Sequence, residues 1–279
     1  MQNAFHFFYV MLEGRLRLIA SGREAGLLAV RDTGKLHLIS PASCTVDEFG
    51  LYAEVPSEPV AAAVTLSTVA LVYAAEPGLS DWTLMVRPAL YGMSSSPRGE
   101  LVLPGNAQPT AVDVLPTATD TMVAVASGFH VLLYGVSTGF AITVSRRLSV
   151  GTVDPSTSIS AACLLDSSSS VAVVVGDELR VSVGGVLARL KLPAAIGRPV
   201  RTVVPVPGGL AIVGPAGVWG IALVPHPEKQ MWGRRFFRFC DGQHGALIEQ
   251  DGLRFCVWGG RGRAPDEAVH LKIGPEGFA

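Results

Sequence analysis

Charge, helical periodicity and closely spaced metal ligands are all scarce in this chain of 279 residues. Charged residues make up 16% and aromatic residues 7%, against 49% hydrophobic. The net charge is −1, and the cations are 18 Arg with only 4 Lys. Such a balance leaves no overall basic footprint for nucleic acid. An arginine excess suits forked recognition of carboxylate or phosphate. A GC-rich coding sequence explains it more simply, together with the abundance of Ala, Gly, Val and Pro.

The four cysteines, Cys44, Cys163, Cys240 and Cys256, lie too far apart for a zinc or redox motif. Cys163 and Cys256 fall inside apolar runs and read as small hydrophobes. All four are expected as thiols in a reducing compartment. No two histidines stand at ligand spacing, so neither a metal nor another cofactor is expected. His37 and His130 read as hydrogen-bonding residues within their sheets. Ala4–Leu12 lacks the basic flank of a signal peptide and reads as a first strand. Val60–Ala75 is uncharged but short for a membrane span, and Thr65, Ser67 and Thr68 sit at its centre. It reads as two strands joined by a tight turn at Leu66–Ser67, and no membrane contact is expected.

What fills the chain instead is a series of short apolar runs separated by Gly, Ser, Pro or Asp, the pattern of an all-β protein. Gly26–Arg31 and Lys35–Ile39, Thr121–Ala126 and Phe129–Tyr134, Val171–Val175 and Leu179–Val183 are examples. No window carries an i, i+3, i+4, i+7 apolar stripe, and no gap has room for crossover helices. A "strand, Asp or Gly turn, strand" unit recurs at 25–40, 120–135, 170–185, 209–224 and 245–260, with a diverged unit near 68–87. The later spacings match the blades of a β-propeller. The expectation is a single propeller domain over residues 1–279, with about five to seven four-stranded blades, or an incomplete part of a larger propeller.

Few motifs carry chemistry. Gly135-Val136-Ser137-Thr138-Gly139 matches G-x-S-x-G, but a strand follows it where a hydrolase needs a helix. It reads as a hairpin turn. Gly214, Gly217 and Gly220 likewise lie between two strands, with no helix terminus to cradle phosphate. Trp232–Phe239 (WGRRFFRF) interleaves cations with rings, which suits single-stranded nucleic acid. It also suits a strand with one buried face. With Gly259–Arg263 nearby, Arg234, Arg235, Arg238, Arg261 and Arg263 form the candidate surface for an anionic partner. Arg146 and Arg147 form a smaller basic patch.

Two stretches carry a family likeness. In 23–87, REAGLLAVRDTGKLHLIS precedes VAAAVTLSTVALVYAAEPGLSDWTLMVRPAL; in 200–263, VRTVVPVPGGLAIVGPAGVWGI leads into ALIEQDGLRFCVWGGRGR. Their order of strands and turns resembles the multi-propeller scaffold family. That family includes the damaged-DNA-binding adaptor of cullin ubiquitin ligases and the large subunit of the cleavage and polyadenylation specificity factor. The resemblance implies a non-enzymatic scaffold that binds other proteins in a multi-subunit complex, nuclear or cytoplasmic, with RNA or DNA contact. It implies no catalytic residues. A propeller cofactor of an RNA-modifying enzyme is an alternative, although no Gly-His…Trp-Asp signature is present. A second alternative is an enzyme with its site at a central channel. It requires three or more of Asp32, Asp113, Asp120, Asp166, Asp177, Asp251, His37, His130 and His244 to gather at one channel mouth.

Overall fold

The computed structural model describes the backbone of strands from Leu16 to Ile273, and side chains for most residues between Ser57 and Ile221. Its strands pair antiparallel with their sequence neighbours. The first sheet contains β1 (Leu16–Ser21), β2 (Leu27–Arg31), β3 (Lys35–Ser40) and β4 (Thr45–Gly50). The second contains β5 (Ala61–Val64), β6 (Thr68–Ala74), β7 (Trp82–Pro88) and β8 (Gly99–Val102). The third contains β9 (Pro109–Pro116), β10 (Thr121–Ser127), β11 (His130–Val136) and β12 (Ile142–Ser149). The fourth contains β13 (Ile159–Leu164), β14 (Val171–Val175), β15 (Glu178–Val183) and β16 (Val186–Lys191). The fifth contains β17 (Thr202–Val206), β18 (Gly209–Gly214), β19 (Gly217–Pro225) and β20 (Trp232–Cys240). A last group has β21 (His244–Glu249), β22 (Leu253–Trp258) and β23 (Ala268–Ile273). Within each sheet, chain order is spatial order.

This is the propeller-like arrangement expected from the spacing. First strands lie beside first strands: β5 next to β9, β9 next to β13, and β13 next to β17. The recurring units at 120–135, 170–185 and 209–224 are the second and third strands of their sheets, and the diverged unit near 68–87 is β6 with β7. These middle strands are apolar on both faces because both faces are covered. Every residue of β6 and of β14 is buried. One apolar cluster fills the seam between the second and third sheets, including Val72, Leu84, Val123 and Tyr134. Another joins Ala124, Leu133, Ile159 and Val173 between the third and fourth. A further one joins Val174, Leu179, Val203 and Ile212 between the fourth and fifth. Each fully buried Val, Leu or Ile contributes about 1.5–3 kcal/mol, so the sheets are held face to face mainly by these seams.

Turn chemistry follows the local sequence. The 60–75 run folds as expected into β5 and β6, closed where the Thr65 N–H donates to the Thr68 carbonyl. The Thr65 hydroxyl accepts the Thr68 N–H at 3.0 Å. Between β14 and β15, Gly176 takes φ +57°, a left-handed conformation that favours glycine. Among the described residues no helix is long and apolar enough to cross a membrane. The Ala4–Leu12 run and the turns at Asp32–Gly34 and Asp251–Gly252 lie outside the described residues.

Candidate functional site

The seam between the third and fourth sheets takes in two buried charged side chains. Asp113 is on β9, the innermost strand, and is only 8% exposed. It pairs across the ladder with Ala124, and so faces the fourth sheet. One carboxylate oxygen accepts the Val114 N–H at 2.9 Å. The other reaches across the seam to the Leu164 N–H at 2.7 Å. Arg180 is on β15, one strand inside the outer edge, and is 3% exposed. It pairs with Val173 and so faces the third sheet. Its Nη1 donates to the Val150 carbonyl at 2.8 Å, and its Nε donates to Glu178 at 2.9 Å. Nη2 lies 2.8 Å from the same carboxylate oxygen. Both groups are therefore committed to joining blades.

The seam between the second and third sheets is different. Trp82 Nε1, His130 Nδ1 and the Tyr134 hydroxyl are buried there without a hydrogen-bond partner. Burial pushes the Tyr134 phenol up to about 12. His130 is held below its ordinary value, by burial first and by the Arg147 cation second. The expected hydrogen-bonding role of His130 is thus not met at Nδ1. At the outer end the seam closes by backbone contact. A Cβ on Gly99 would collide with the Phe140 carbonyl and with the side chain of Ile142.

The G-x-S-x-G segment is a hairpin turn, as expected. The Ser137 N–H donates to the Ala141 carbonyl and the Phe140 N–H to the Ser137 carbonyl. The Ser137 hydroxyl oxygen accepts the Ala141 N–H at 3.2 Å. Ser137 is thus used locally. Phe140, at φ +63°, takes the left-handed position of this turn. Gly214 and Gly217 flank the β18–β19 turn, also as expected.

The channel cluster does not assemble from the residues that are described. Asp120 and Asp166 stand at turns between first and second strands, whereas Asp177 and His130 stand at turns between second and third strands, the opposite end. Asp166 accepts the Ser170 N–H, and Asp177 sits 3.8 Å from Lys191. No group of His, Cys, Asp or Glu fit to hold a metal occurs among the described residues. Cys163 is a buried thiol. Asp32 and Asp251 lie outside the described residues, as do the side chains of His37 and His244.

Arg234, Arg235 and Arg238 fall on the backbone of β20, the outer strand of the fifth sheet, opposite Leu223, Ala222 and Trp219. Their side chains, and Arg261 and Arg263 altogether, lie outside the described residues. The basic patch that is described is the smaller one. β12 is the outer edge of the third sheet, and Thr143, Val144, Ser145, Arg146 and Arg147 are all exposed. Val144 is 70% exposed, and Val102 on the neighbouring outer strand β8 is 65% exposed. An irregularity between the Leu133 and Tyr134 pairings leaves Ser145 unmatched. It places Arg147 opposite Leu132 and Arg146 opposite Leu133, so the two cations lean to opposite faces of the sheet.

Sequence reasoning did not single out Arg180, although a signal was present. Glu178 and Arg180 are two apart in a strand, hence on one face, within an otherwise apolar hairpin.

Comparison with solved structures supports the propeller fold. Hsv2 of Kluyveromyces lactis superposes with a TM-score of 0.54 at 12% identity, covering 82% of this chain and 74% of that one. Hsv2 of Kluyveromyces marxianus gives a TM-score of 0.51 at 12% identity, covering 82% of this chain and 72% of that one. No family model matches the chain, and no curated protein matches it. At such identity the likeness shows the fold alone.

Proposed function

We propose that this chain is a non-enzymatic β-propeller scaffold that holds protein partners on its rim. The observation that carries this reading is the outer edge of the third sheet. Five consecutive residues of β12 face solvent, with an exposed valine and two cations among them. Among the described residues, the buried charged side chains Asp113 and Arg180 join blades. A rigid sheet framework presenting adaptable edges suits binding.

The finer features belong to the same proposal. The ring has six blades, supported by β1 lying beside both β5 and β21. The family resemblance in 23–87 and 200–263 favours a ubiquitin-ligase or RNA-processing assembly in the nucleus or cytoplasm, with RNA or DNA contact at Arg234, Arg235, Arg238, Arg261 and Arg263. The test is the native size of the full chain in extracts of its own cells, followed by crosslinking. Elution well above the monomer mass with a reproducible crosslinked partner is expected. A free monomer without crosslinks under native conditions would end the scaffold reading.

A further inference from the structure

We propose that the free edge of β12 takes an extended acidic segment of another protein as an added strand. The inference rests on the scaffold reading and names its surface and the chemistry of its partner.

The backbone of β12 is arranged to accept a strand. Antiparallel pairs alternate between hydrogen-bonded and non-bonded. Ser137 and Ala141 form a bonded pair at the hairpin. Counting outward, Gly135–Thr143 is the next bonded pair, and Val136–Ile142 and Tyr134–Val144 are non-bonded. The N–H and C=O groups of Ile142 and Val144 therefore point away from β11. Among the described residues no strand pairs with that side, since the sheet ends at β12. Strand addition supplies main-chain hydrogen bonds to such an edge and leaves side chains to set specificity.

Charge selects the partner. Arg146 and Arg147 are exposed, and among the described residues neither has an acidic partner. Proteins commonly place charge and bulges on edge strands to block pairing with their own copies. Here the charge has one sign, so it disfavours a second β12 and favours a strand rich in Glu or Asp. Adjacent strand residues face opposite ways, and the unmatched Ser145 puts Arg147 on the Leu132 side of the sheet and Arg146 on the Leu133 side. An acidic strand running past them would meet a cation on each face. Val144 adds an exposed apolar contact at the centre of the edge.

The probe is a synthetic peptide of alternating glutamate and valine, titrated against the full chain by fluorescence anisotropy, with hydrogen exchange to locate it. Binding that weakens with salt and protects the Ile142 and Val144 amides is expected. Val144→Pro removes one outward N–H without touching a β11 bond, and should weaken binding by about tenfold. Arg146→Glu with Arg147→Glu should weaken it at least as much and reverse the salt dependence, since the remaining interaction is a screened repulsion. Exchange protection in the free variants, matching the parent, shows that they are folded. The proposal is overturned if the peptide does not bind, if it protects another strand, or if Val144→Pro binds it equally. Preference for short single-stranded RNA, unchanged by Val144→Pro, would also overturn it by making the patch a phosphate contact. If the chain still elutes with its partner after both substitutions, this surface is wrong while the scaffold reading stands.

Discussion

The two seams flanking the third sheet are built from the same kind of sequence and solve different problems. Toward the fourth sheet, the buried polar groups Asp113 and Arg180 each hold a backbone group of the neighbouring blade. Toward the second sheet, Trp82 Nε1, His130 Nδ1 and the Tyr134 hydroxyl are buried with no partner, and a glycine lets two backbones meet. Buried polar atoms are normally satisfied. The first seam is therefore pinned by directional bonds, and the second is held by apolar area and shape. One seam should be sensitive to lost charge, the other to added volume.

The largest effects are expected at the pinned seam. Arg180→Ala removes the hydrogen bond to Val150 and the pairing with Glu178, and should cost about 3 kcal/mol in denaturant unfolding. Arg180→Met keeps the apolar stem and should cost less. Asp113→Ala deletes two carboxylate-to-amide bonds and should also cost about 3 kcal/mol. A loss below about 0.5 kcal/mol for both alanine variants would show that directional bonds do not hold this seam.

At the other seam the comparable disruption is steric. Gly99→Ala drives a methyl group into the Phe140 carbonyl and Ile142, and should cost about 1–3 kcal/mol. Phe140 is already left-handed at φ +63°, which a bulky residue rarely adopts. The hairpin has little room to move aside. An unchanged unfolding midpoint would mean that the outer ends of β8 and β12 are not in contact.

Much of this architecture was legible in the sequence, and the parts that were not share a cause. The middle hairpins read clearly because burial on both faces makes them apolar without interruption, as in β14. Strands β8 and β16 are harder to read because water on one side admits charge, as Glu100 and Lys191 do. β9 was hidden by Pro109, Asp113 and Pro116, which resemble turn residues. Asp113 is in fact a buried acceptor for amides, a role that depends on a strand 51 residues away. The Arg146–Arg147 patch could be read as charge. Its place on a free edge could not, because an edge is defined by what the rest of the chain leaves uncovered.

Tyr134→Phe sharpens the contrast by running the other way. Its hydroxyl is buried without a partner, so removing it should leave stability unchanged or raise it by up to about 1 kcal/mol. The folded phenol is pushed up to about 12, against about 10 in the unfolded chain. Its contribution is therefore complete below pH about 10 and is lost as pH rises toward about 12. Tyr134→Phe should flatten that decline in part. A remainder is expected from Tyr73, whose phenol is also raised, by burial and then by Glu100. Clear destabilisation of Tyr134→Phe at neutral pH would mean that the hydroxyl is bonded after all.

The smallest effect tests the register of β12 itself. His130 shares its face with Leu132 and Tyr134, and Arg147 stands opposite Leu132. Arg146 stands opposite Leu133, toward the other seam. Burial and then Arg147 hold the His130 imidazole below its usual range, so the unfolded chain binds more protons there. Stability at this residue is present at neutral pH and falls as pH drops through the ordinary histidine range. Arg147→Gln removes the second cause and leaves the first. The NMR titration of His130 should move upward without reaching the value of an exposed histidine, and the acid-side fall in stability should shrink. Arg146→Gln should move it less, because that cation leans to the opposite seam. A larger shift from Arg146→Gln would show that Ser145 is not the unmatched residue, and equal shifts would show that the two cations do not divide between the seams.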